Sequence, residues 1–174
     1  LVGSEMCIRD SFQCSPNQGH TAYFPFVEQL LRAAGGPGDA SSEQRLDALE
    51  AWVGAGAREG KGTLGVLAGL LSLPANRYGG VGARPGQEKR DTVSALLEIF
   101  ASLSLEGPLL VLFEDAHWAD PSSLDVLDSM VAATALLPAL VVVTHRSGFQ
   151  SPWRSHGHAT ELQLSHLRQS DCLE

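Results

Sequence analysis

"PLLVLFEDAHWADPSSLDVLDSMV", residues 108 to 131, is the stretch that decides the fold. Pro108 to Phe113 is a continuous apolar run of strand length, the pattern of a strand buried on both faces. Two adjacent acids, Glu114 and Asp115, end it. Asp120 followed by Pro121 is a helix start: a carboxylate that can cap free amides, then a residue that lacks one. Leu124, Leu127, Met130 and Val131 continue one face of that helix. "ALVVVT", residues 139 to 144, is a second buried strand. Strand, helix, strand predicts a βαβ unit, hence a parallel sheet in an α/β fold.

Upstream, "FQCS" (12 to 15) reads as the end of a short strand running into a polar loop. Helical spacing follows from about Phe24 to Ala34, with Phe26, Leu30 and Leu31 on one face and Gly35-Gly36 as the stop. Ser41 or Ser42 can cap a second helix, whose apolar face carries Leu46, Leu49, Trp52 and Val53. A short apolar helix is expected from Leu64 to Leu71, then a Gly/Pro-rich loop, "PANRYGGVGARPG". Gln87 to about Ser104 forms an amphipathic helix with Val93, Leu96, Leu97 and Phe100 inward. Downstream, "TELQL" (160 to 164) is a candidate edge strand by its alternation.

"GAGAREGKGT", residues 54 to 63, imitates a phosphate-binding loop. Such a loop is GxxxxGK(S/T) between a buried strand and a helix, so that fixed backbone amides surround the phosphates. Here the first glycine is out of place, Gly62 follows Lys61, and the preceding "RLDALEAWV" has helical spacing. The stretch is read as a helix C-terminus and a flexible turn. The chain has no other Gly-Lys pair, so any phosphate loop lies outside these residues.

The bulk numbers narrow the function. The 174 residues are one domain's worth of chain, and the 44% apolar content is ordinary for a globular protein. No apolar run reaches the ~18 residues of a membrane helix, and Ser4, Glu5, Arg9 and Asp10 break up any signal peptide. Three cysteines (Cys7, Cys14, Cys172) suggest reduced thiols and a cytoplasmic setting. A net charge of −8 without a basic cluster argues against a nucleic-acid surface. Residues 1–11, "LVGSEMCIRDS", resemble translated sequencing-adapter read-through and fit no periodicity, so the domain is read as residues 12–174.

Chemistry concentrates at the strand ends. Carboxylates at the carboxyl end of a parallel strand lie in the crevice where open α/β sheets bind ligands. One of Glu114 and Asp115 can hold Mg²⁺ through its water shell, while the other orients or deprotonates an attacking water. Their bland reading is a pair of solvated acids. Thr144 and Arg146 end the next strand, on the same edge. A cation there can stabilise charge on a γ-phosphate, or merely pair with Glu114 or Asp115.

"FQCSPNQGHTAYFPFVEQL" (12 to 30), "VLFEDAHWADPSSLDVLD" (111 to 128) and "LVVVTHRSGFQSPW" (140 to 153) resemble, in that order, the AAA-type ATPase domain of STAND NTPases. The likeness is to bacterial regulators in which that domain follows an adenylate/guanylate cyclase domain, and to relatives with a LuxR-type DNA-binding domain. The resemblance implies a partial P-loop NTPase (AAA/STAND-like), a parallel β-sheet flanked by helices. It implies ATP and Mg²⁺ as ligands, and linked effector domains or protein partners held through downstream repeats.

On the resemblance, "LLVLFED" is the Walker B strand, with Glu114 at the metal-water position and Asp115 as the catalytic acid. Thr144 and Arg146 take the place of the sensor residues. His117, Trp118 and Asp120 match an "HWxD" extension, and their roles are read as structural: Trp118 packing, Asp120 capping. Glu114 departs from the usual Asp, and the Walker A loop is missing, which predicts poor ATP binding by these 174 residues. The expected function is a regulatory ATP-operated switch. Two alternatives stand beside it. One is a degenerate scaffold that no longer hydrolyses nucleotide. The other is a metallophosphoesterase, from the D-x-H of Asp115 and His117, with His145, His156 and His158 as possible further imidazoles.

Overall fold

Leu109–Glu114 (β2) is the middle of a three-stranded parallel sheet, between Ile8–Gln13 (β1) and Ala139–Val143 (β3). The structure, a computed structural model, describes residues 8–35, 40–53, 61–78 and 86–164. The register sets Gln13 beside Glu114, and Phe113 beside Val143. The three carboxyl ends are therefore level. β1 begins at Ile8, upstream of Phe12, and Ile8 to Ser11 pair with Leu109 to Leu112.

Among the described residues, four α-helices lie between β1 and β2: Phe24–Ala33 (α1), Ser42–Val53 (α2), Lys61–Leu70 (α3) and Glu88–Glu106 (α4). Pro121–Ala133 (α5) joins β2 to β3. Both connections move one strand over in the same direction, so right-handed crossovers bring their helices to the same face of the sheet. There Leu109, Val111 and Phe113 are buried with Phe26 and Leu30 of α1, Leu96 and Phe100 of α4, and Val126 and Met130 of α5. Phe12, Phe26 and Phe113 form a ring cluster with centroids 5.0 to 6.0 Å apart.

The opposite face differs from expectation. Leu110 and Leu112 are half-buried, while Leu140 is 60% and Val142 39% exposed. Burial on both faces, predicted from the continuous apolar runs, is therefore corrected to burial on one. An apolar run states that a strand suits a core; whether both its faces find cover depends on where the crossovers run.

Local chemistry explains most helix ends. Ser41 and Gln44 form a reciprocal cap at the start of α2: the Gln44 amide donates to Ser41 Oγ (3.2 Å) and the Ser41 amide to Gln44 Oε1 (2.8 Å). Gly35 takes φ +97° just after α1, a left-handed geometry that suits glycine. Leu46, Leu49 and Val53 of α2 are buried as expected, with Trp52 half-buried.

Two expectations need correction. α3 begins at Lys61 and not near Leu64, so Lys61, Gly62 and Thr63 of the imitation phosphate loop form a helical first turn; residues 54–60 lie outside those described. Thr63 is buried, and its hydroxyl donates to the Glu98 carboxylate of α4, fixing one helix to the other. Thr160 to Leu164 is not a strand: Leu162 and Leu164 are exposed, and Glu161 pairs with Arg154. Alternation there has no buried face to serve. Among the described residues, no helix is long and apolar enough to cross a membrane.

Candidate nucleotide site

The level carboxyl ends of β1, β2 and β3 bring Gln13, Glu114 and Thr144 to one edge. Glu114 is exposed as the last residue of β2. Asp115 then leaves the strand in a left-handed conformation, φ 56° and ψ 43°. Asp is among the few residues that tolerate this geometry, at some cost. Three bonds from the β3 end hold it there. The Asp115 amide donates to Thr144 Oγ1 (3.0 Å), the Ala116 amide to the Thr144 carbonyl (2.9 Å), and the Thr144 amide to the Phe113 carbonyl (2.9 Å).

A short helical turn, Ala116–Trp118, follows, and Asp120 starts α5 as its side chain predicted. Asp120 is buried; its Oδ1 accepts from the Ser122 (2.9 Å) and Ser123 (3.0 Å) amides, and Oδ2 accepts from the Ser123 hydroxyl. The cap fixes the angle at which α5 departs and so fixes the turn that carries His117 and Trp118.

Arg146 comes to the same edge but bonds to neither acid. Its guanidinium carbon stands 5.4 Å from the centre of the Trp118 ring, a cation–π contact. Among the described residues, neither Glu114 nor Asp115 forms an ion pair with lysine or arginine. Both carboxylates are exposed at the strand end. Hard, anionic and free of cationic partners, these oxygens suit Mg²⁺ held directly or through water.

The four expected site residues, Glu114, Asp115, Thr144 and Arg146, thus stand on one edge. Three further features mark this edge; of these, reading from sequence expected only the burial of Cys14, as a small hydrophobe beside a strand end. Trp118 is the platform under Arg146 as well as a packing residue. Cys14, just past β1, is buried, and its thiol is pushed from 9.0 up to about 12 by burial and then by the charges of Asp120 and Asp115. The ring nitrogens of His117 are buried; the ring lies beside Asp115, with its centroid 4.9 Å from that of Trp118. The D-x-H-W run was the available signal. His156 and His158 lie elsewhere, bonded to Asp128 (2.9 Å) and the Val131 carbonyl (2.8 Å) of α5.

This arrangement puts the chain among parallel α/β domains whose ligand crevice opens at the carboxyl strand ends. The sequence profile of the AAA ATPase domain matches residues 10–143, and the chain belongs to that family. It is an ATPase-type domain, and the family uses ATP and usually Mg²⁺. That membership decides against the metallophosphoesterase reading. The chain is also similar to an uncharacterized protein of Rhizobium meliloti (strain 1021), 27% identical over 156 residues. The match covers 90% of this chain and 15% of the length of that relative. No solved structure matches the chain significantly.

Proposed function

We propose that these residues form the hydrolytic and sensing edge of a regulatory ATP-operated switch of the STAND type. In this reading β2 is the Walker B strand, within a cytoplasmic multidomain signalling protein whose output is a cyclase or a transcriptional domain. The observation that carries it is the bond from the Asp115 amide to Thr144 Oγ1, which joins the acid to the neighbouring strand end in one rigid unit.

Mg²⁺, when bound, neutralises charge on the phosphates. Glu114 and Asp115 are the residues that would hold it, through water. The Asp115 carboxylate orients the attacking water and accepts its proton. Thr144 keeps Asp115 aimed. Arg146, resting on Trp118, moves to the γ-phosphate when ATP is present and loses that contact on hydrolysis, which releases the closed state.

The test uses the longest natural chain that contains these residues. Asp115→Asn is expected to bind Mg-ATP nearly as the parent does and to hydrolyse it far more slowly. Arg146→Ala is expected to narrow the difference in affinity between ATP and ADP. Hydrolysis by Asp115→Asn at the parent rate would sink the catalytic assignment. A parent that binds Mg-ATP and never hydrolyses it would leave a nucleotide-held scaffold instead.

A further inference from the structure

His117 raises a question that packing does not answer. Both ring nitrogens are shut off from solvent, and neither has a hydrogen-bond partner among the described residues. The side chain is only 10% exposed. A neutral imidazole carries one N–H donor and one acceptor, so burying it without partners is costly. A phenyl ring would pack against Trp118 without that cost. Polar groups left in this state in a native fold call for an explanation, and here one lies close by.

Nδ1 of His117 stands 3.9 Å from Oδ1 of Asp115, the contact between this ring and a charged group. That is about one ångström beyond a charge-assisted hydrogen bond. The two groups differ in freedom. The imidazole is enclosed and lies tilted against Trp118, whereas the Asp115 side chain is 55% exposed. The Asp115 backbone is held by Thr144. Its carboxylate is the part left free to turn, and a shift of about one ångström would bring it within hydrogen-bonding reach of Nδ1.

We propose that His117 is a positioning residue: with its proton on Nδ1, it donates to one oxygen of the Asp115 carboxylate and so aims the other at the attacking water. The proposal rests on the reading of Asp115 as the catalytic acid. Enclosure keeps the imidazole from touching nucleotide, so its influence passes entirely through Asp115. The HW pair then has divided roles. Trp118 supports Arg146, and His117 supports Asp115, so one short turn carries the supports of both the acid and the sensor. The left-handed backbone at Asp115 is what turns the chain so that His117 lies beside the acid two residues before it.

The test is made in the longest natural chain that contains these residues, by titrating Mg-ATP binding and measuring kcat separately. His117→Phe keeps a ring against Trp118 and removes the donor. Binding is expected to stay within about twofold, while kcat falls about 10–100-fold, as for other outer-shell partners. His117→Asn returns an N–H near the Nδ1 position and is expected to recover much of the loss. His117→Gln puts its amide farther out and is expected to resemble His117→Phe; it serves the same comparison if His117→Phe does not fold. On an Asp115→Asn background, His117→Phe should cost nothing further, because the two act as one unit. Parent-level kcat in His117→Phe, a loss that adds fully to that of Asp115→Asn, or His117→Asn no better than His117→Gln would each overturn the proposal. If Asp115→Asn itself keeps the parent kcat, the reading of the acid has failed and this proposal falls with it. If Asp115→Asn is slow and His117→Phe is not, only the role of His117 is lost.

Discussion

The amide of Asp115 donates to Oγ1 of Thr144 across 3.0 Å, tying the acid that follows β2 to the residue that follows β3. The bond links neighbouring strands at the point where the chain turns left-handed. Thr144→Val keeps the side-chain shape and removes the acceptor. Such a loss is worth about 0.5–1.5 kcal/mol, so denaturant unfolding is expected to shift by that order, with a larger proportional drop in ATP hydrolysis. Thr144→Ser is expected to restore both. Unchanged hydrolysis in Thr144→Val would show that Asp115 needs no such anchor.

Asp120 caps α5 through Oδ1, while its Oδ2 accepts from the Ser123 hydroxyl. Asp120→Ala removes the acceptor for two amides and one hydroxyl in a buried site. A destabilisation of about 1–2 kcal/mol is expected, at the upper end for helix caps. Asp120→Asn should lose less, since one oxygen remains for the amides. Equilibrium unfolding in urea reads both, and an alanine variant as stable as the parent would refute the cap's importance.

Burial, Asp120 and Asp115 push the Cys14 thiol up to about 12, so it stays protonated well above neutral pH. Native protein is expected to resist iodoacetamide at this residue, and unfolded protein to react; mass spectrometry of the adducts separates Cys14 from the other thiols. Linkage gives a second outcome. Above 9.0 the unfolded thiol loses its proton while the native one keeps it, so the unfolded state binds fewer protons and stability falls as pH rises. The contribution is fully present below 9.0 and is lost on the way to about 12. Tyr78, raised from 10.0 to about 12 by burial and its bond to Glu50, adds a decline of the same sign. Only the part due to Cys14 should vanish in Cys14→Ala, which isolates it.

Arg146 rests on Trp118 at 5.4 Å, an interaction of about 0.5–1 kcal/mol at exposed sites. That is small enough for a phosphate to outcompete. Adding Mg-ATP to the longest natural chain is expected to change Trp118 fluorescence, and Arg146→Ala should show the changed signal before any nucleotide is added. Trp118→Phe supplies the background from the remaining tryptophans. A Trp118 signal that ignores both ATP and Arg146→Ala would mean that the arginine stays where it is.

Where structure follows from neighbours in the chain, the residues alone were enough. Leu109 to Phe113 had to be a strand, since so unbroken an apolar run has few other uses. Asp120-Pro121 had to start a helix, because the carboxylate and the missing amide act within three residues. The same locality explains the cap at Ser41 and the placing of Glu114, Asp115, Thr144 and Arg146 at strand ends. It failed at Lys61, where the helix starts three residues before the expected Leu64, and at Thr160 to Leu164, where alternation met no sheet edge.

Residue order along the chain thus determined the elements, the parallel βαβ unit and the acidic edge, because each rests on contacts between near neighbours. Tertiary structure alone decided that β1 lies beside β2, that among the described residues one sheet face is buried far more than the other and that Arg146 lies over Trp118. It also decided that both His117 nitrogens are enclosed beside Asp115. Those outcomes depend on where the crossover helices close over the sheet and exclude water, a property of groups distant in sequence that meet only in the folded chain.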